Sequence, residues 1–128
     1  MPLKDIYQNF LNRFLFRNSS NIKNVFDHHF FDQKYFLQPS ASENDFAKLL
    51  NVSTEILNHI SKTYYLNSFV NLVEEYRYMH FIKEFENPLN ADLPLDSIIK
   101  LSGFEDNNRF ADFVKNKSNF SLNKLNNI

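Results

Sequence analysis

Two stretches of the chain carry side chains suited to contact with a polar or anionic partner. The first holds Thr54, Glu55, Asn58, His59 and Lys62; the second holds Asn107, Asn108, Arg109, Asp112, Lys115, Asn116 and Lys117. An amide sets a donor beside an acceptor and matches the N6 and N7 edge of adenine, which suits Asn58. A guanidinium offers parallel N–H bonds that match O6 and N7 of guanine, which makes Arg109 the best single candidate for a base contact. Lys62 and Lys117 are point charges better fitted to phosphate.

Other chemistries fall away. Cysteine is absent, so there is no disulfide, thiolate nucleophile or sulfur-ligated metal. A single glycine, Gly103, excludes the loops that cradle phosphates with two or three glycines. His28 and His29 are adjacent and point to different faces of a helix, while His59 and His80 lie far along the chain, so no metal site is expected. Glu74 and Glu75 pair only in sequence, without a nucleophile or pocket to make them catalytic. The expectation is a protein that is not an enzyme and needs no cofactor.

Composition sets the frame for these residues. The 128 residues are 43% hydrophobic and 16% aromatic, with 15 Phe, which is enough to pack a core. Basic and acidic residues nearly cancel, 14 against 15. From Lys100 onward the balance is basic, with Lys100, Arg109, Lys115, Lys117 and Lys124 against Glu105, Asp106 and Asp112. Acids gather instead on Glu74, Glu75, Glu84, Glu86 and Asp92, so one face can still be basic in a near-neutral chain. No run reaches the roughly 18 apolar residues of a membrane span, and no signal-peptide core forms near Met1. A soluble, cytoplasmic protein with no membrane partner is expected.

The elements that must position the two stretches read as helices almost throughout, an all-α fold. Leu3, Ile6, Tyr7, Phe10, Leu11 and Phe14 recur at intervals of three and four, predicting an amphipathic helix over 1–20. A second helix follows through Val25, His29 and Phe30, then extended chain at Tyr35–Leu37. Ser42 stands three residues before Asp45 as a capping start. A short helix with Phe46, Ala47, Leu49 and Leu50 ends at Asn51, a residue that tolerates the left-handed conformation. Ser53 caps the next helix, whose inner face is Ile56, Leu57 and Ile60. A long helix from about 69 to 86 turns Leu72, Val73, Tyr76, His80 and Phe81 inward, with Glu74 and Glu75 largely outward. Pro88 and Pro94 bracket a loop. The arrangement then repeats: Leu95, Ile98, Ile99 and Leu101, a turn at Gly103, and a helix with Phe110, Phe113 and Val114. A separate final helix from Ser121 carries Leu122 and Leu125.

The first pair satisfies, and the second approaches, the steric grammar of a helix-turn-helix: a small residue where the helices cross, and a residue allowed at positive φ four positions on. Ala47 and Asn51 fill these positions in the first pair; Ile99, bulkier than the grammar prefers, and Gly103 fill them in the second. The pairs span about 42–65 and 94–118, with the long helix between them, and 21–128 reads as one domain behind the N-terminal helix.

Over residues 35–125 the chain resembles the two-motif DNA-binding domain of AraC/XylS-type transcription regulators. The matching segments are 45–53 (Asp-Phe-Ala-Lys-Leu-Leu-Asn-Val-Ser), 68–77 ending at Arg77, and 102–110 (Ser-Gly-Phe-Glu-Asp-Asn-Asn-Arg-Phe). The resemblance implies a sequence-specific regulator that sets two recognition helices into successive major grooves of double-stranded DNA and is nucleoid-associated when bound. It implies an anchoring role for Arg77. Leu66 replaces the family's glycine after the first recognition helix, Phe81 an alanine and Leu122 a proline, all read as packing changes. Asp112 stands where a basic or hydroxyl residue is usual. The alternative from another class is a protein-interaction module with weak or lost DNA affinity, and the aromatic N-terminal helix offers a surface for a homodimer or a partner protein.

Overall fold

In the computed structural model the described residues are Ile6 and 21–126, with side chains described as far as Lys117. The predicted N-terminal amphipathic helix lies outside them apart from Ile6. The described residues are helical with turns and loops and contain no strand. None of their helices is long and apolar enough to cross a membrane.

Two compact units divide the chain: one takes the residues up to Tyr35 and Ala41–Val73, the other takes Phe36–Ser40 and Glu74 onward. The first begins with helical residues 21–27, which run into a π-helical turn at His28–Asp32. Helix α1 (Glu43–Leu50) and helix α2 (Thr54–Tyr65) follow. Their core is aromatic. Phe26, Phe30, Phe46 and Phe69 are fully buried or nearly so, with Phe46 stacked on Phe69 at 4.8 Å and edge-on to Phe26 at 5.1 Å. Burying each ring contributes about 2–3 kcal/mol, so these four supply much of the driving force for this unit. Leu57 and Ile60 complete it, while Ile56 is only half-buried.

Local chemistry sets where these helices begin and end. The hydroxyl of Ser42 accepts from the Asp45 N–H at 3.1 Å, and that of Ser53 from the Ile56 N–H at 3.2 Å, each satisfying a donor that a helix start leaves over. Between them Asn51 is left-handed at φ 58°, and the buried Ala47 accepts from the Val52 N–H at 3.0 Å. Helix α2 ends at Leu66, also left-handed at φ 58° and 89% exposed. Leu66 therefore touches little and is no packing change. Its cost lies in the backbone, because a Cβ at positive φ crowds the following carbonyl.

Helix α3 (Phe69–Glu86) starts in the first unit and ends in the second. Tyr35–Leu37 is a turn of 3-10 helix instead of extended chain. Its carbonyls explain why: the buried Arg77 donates from Nε to Phe36 O at 2.6 Å and from Nη2 to Gln38 O at 2.8 Å. The loop after α3 opens with Asn87, whose side chain accepts from the Leu89 N–H at 3.0 Å and starts a short turn at Pro88–Asn90.

Helix α4 (Leu95–Leu101) presents Ile98 and Ile99 to a second core with Phe81 and Phe104, against which Tyr78, Ile82 and Phe110 pack. Leu95 and Leu101 on the same helix are half exposed, because a seven-residue helix turns only one narrow stripe to its neighbours. The chain reverses at Gly103, φ 94°, and helix α5 (Asn107–Asn126) begins where the Asp106 carboxylate accepts from the Arg109 N–H at 2.8 Å. Helix α5 runs unbroken through the expected boundary before Ser121. No glycine or proline stands between Asn107 and Asn126, so nothing interrupts the hydrogen-bond ladder.

Candidate nucleic-acid interface

On α2 the outward face is a stripe at helical spacing, Glu55, His59 and Lys62, all exposed. With Glu43, Thr54 and Asn58 they line an open cleft of about 430 Å³. Thr54 and Asn58 are half-buried. Asn58 is used by the fold at both ends of its amide: Nδ2 donates to Glu43 Oε1 at 2.5 Å and to Thr54 O at 3.2 Å, and Oδ1 accepts from the Phe69 N–H at 3.0 Å. The adenine contact expected of it is not available in this conformation. Asn58 instead ties α1, α2 and the start of α3 together. Glu43, its partner, had no reading from the sequence, since fifteen residues separate the two.

Lys62 and His59 keep their places on the exposed face, and among the described residues Lys62 has no ion pair. The outward stripe of α2 therefore presents one ammonium, one imidazole and one carboxylate.

The second unit gathers its candidates on α5. Asn107, Asn108, Arg109, Asp112, Lys115 and Asn116 are exposed, and Lys117 is half-buried. Several are already partnered. Asn107 donates to Asp96 at 2.8 Å. Arg109 pairs through Nη2 with Glu74, and Lys117 pairs with Glu75 at 2.9 Å. The Lys117 ammonium also lies over the Tyr78 ring at 5.1 Å and the Phe113 ring at 5.5 Å. An ammonium held by a carboxylate and two aromatic faces is drawn toward the protein. Lys115 has no ion pair among the described residues and is the better placed of the two for phosphate.

Glu74 and Glu75, read as a solvated face, are half-buried, and the Glu74 side chain is only 17% exposed. Periodicity within α3 could not show this, because their partners lie some forty residues further along the chain. Asn108, Lys115 and Asn116 form the exposed polar surface around the half-exposed Arg109, with Asp112 among them. This arrangement can offer a planar donor fork, amides and one unpaired ammonium to a polyanion. Among the described residues no group of three metal-ligating side chains converges. No protein-family model, curated protein or solved structure matches this chain.

Proposed function

We propose that this protein is a sequence-specific DNA-binding transcriptional regulator of the AraC type, built from two helix-turn-helix units that each set the second helix of the pair into a major groove. The observation that carries the reading is the repeated turn. Asn51 adopts positive φ four residues after the buried Ala47, and Gly103 adopts it four residues after the buried Ile99. In each case the following helix carries an exposed polar surface, with Lys62 on the first and Arg109 and Lys115 on the second. Docking of such a helix through its N-terminal half is the geometry by which helix-turn-helix proteins read base edges.

Within this reading Arg109 contacts guanine, while Lys62 and Lys115 contact phosphate. Asn58 supports the first unit from within and leaves base contact there to Thr54, Glu55 and His59. Titrating a labelled duplex at several salt concentrations tests the proposal. Affinity falls linearly with salt on logarithmic axes, with a slope of about −0.9 for each phosphate neutralised.

A second reading has its own observation. Arg109 and Lys117 are both tied to acids of α3, and the chain is near neutral, so the same fold would serve as a protein-interaction module with little DNA affinity. Absence of duplex binding at about 50 mM salt, where phosphate contacts are strongest, favours that module.

A further inference from the structure

The geometry points to Glu74 as a positioning residue for Arg109, one that selects the guanine-reading orientation of its guanidinium; this rests on the DNA-binding reading above. Three observations support it. The carboxylate is the better buried partner, 17% exposed against 56% for Arg109, so it is the fixed end of the pair. Its Oε1 pairs with Nη2, a nitrogen that carries two protons. Whichever proton it takes, the other still points parallel to an N–H of Nη1 or of Nε, so a two-pronged donor fork remains for O6 and N7. Finally, the backbone N–H of Arg109 is held by Asp106 at 2.8 Å, which pins the root of the same side chain.

An arginine has several rotatable bonds, and ordering it at the moment of binding opposes association. Held at both ends, Arg109 meets DNA with much of that order already present. The neighbouring pair does not share the property. Lys117 is a rotatable point charge over two rings, so Glu75 neutralises it without presenting a fork. The negative charge of Glu74 also opposes nearby phosphates, so its removal is expected to act oppositely on two quantities: affinity for any duplex rises, while preference for guanine at the Arg109 position falls.

The test is a set of binding titrations with the full chain on duplexes that differ at single base pairs, using wild type, Glu74→Gln, Glu74→Asp and Arg109→Ala. Glu74→Gln keeps shape and one acceptor, and a thermal unfolding curve checks its fold. The expected result is a loss of about fivefold in guanine preference with a tighter non-specific affinity, and partial recovery in Glu74→Asp. In the Arg109→Ala background, Glu74→Gln is expected to cost no further preference, because its effect passes through the guanidinium. Wild-type binding with undiminished preference in Glu74→Gln overturns the positioning role alone. Wild-type failure to bind any duplex overturns the DNA-binding reading and this inference with it.

Discussion

Gly103 and Arg77 occupy one site between them: a Cβ built on Gly103 would lie 2.9 Å from Arg77 Nε and 2.5 Å from the Phe36 carbonyl oxygen that Arg77 holds. The turn before α5 is thus tied by sterics to the anchor of α3. With φ at 94°, Gly103 is also in a conformation that side chains rarely adopt. Gly103→Ala meets both penalties at once, and the obstacle is a backbone oxygen that cannot swing aside. A loss of about 2–4 kcal/mol is expected in urea unfolding. A loss below about 0.5 kcal/mol would contradict this close approach.

Arg77→Lys removes the two-pronged contact while keeping the charge. A lysine ammonium cannot reach the Phe36 and Gln38 carbonyls with the same planar geometry, and one of these acceptors loses its partner. The expected cost is about 1–3 kcal/mol, read from the shift in the urea midpoint at unchanged slope. An unshifted midpoint would show that the carbonyls find other donors.

At Leu66 the direction reverses. This residue is left-handed and 89% exposed, so its side chain contributes little burial while its Cβ strains the backbone. Leu66→Gly is expected to stabilise the protein by about 0.5–1 kcal/mol, the relief of the left-handed strain outweighing the added freedom of the unfolded chain. Thermal unfolding of the two proteins side by side reads the sign directly. A lower midpoint for the glycine variant would mean that Leu66 packs against something its exposure does not reveal.

Asn58→Ala separates a structural role from base reading. Its amide joins Glu43, Thr54 and the Phe69 N–H, so the variant is expected to lose about 1–2 kcal/mol of stability. Its affinity is expected to change equally for every duplex sequence. A selective loss at one adenine, with stability intact, would restore Asn58 as a base contact.

These residues show what the sequence made legible. Asn51, Ser53, Ser42 and Gly103 were readable because caps and tight turns depend on one residue's own backbone preference. Phe46 was legible as an apolar support from helical spacing, whereas Phe69, also buried, was read only as the start of the long helix. Tyr35–Leu37 read as extended because its curvature comes from Arg77, some forty residues away. The unbroken α5 was readable from the lack of glycine and proline between Asn107 and Asn126, although Leu122 and Leu125 read as a separate final helix from Ser121. On the candidate site, exposure of His59, Lys62, Asn108 and Lys115 was legible from helix faces. The partners of Asn58, Arg109 and Lys117 were not, since an exposed polar stripe reads the same whether its groups face water or another helix's carboxylates.

Selection of bound duplexes from a random pool, run in parallel with wild type and Arg109→Ala, tests sequence-specific DNA recognition most directly. The expected result is enrichment of a defined site by wild type, with one guanine position relaxed in the variant and the remaining positions retained. Recovery of no enriched sequence at low salt, with the wild type folded throughout, would contradict the DNA-binding account and leave the interaction module in its place.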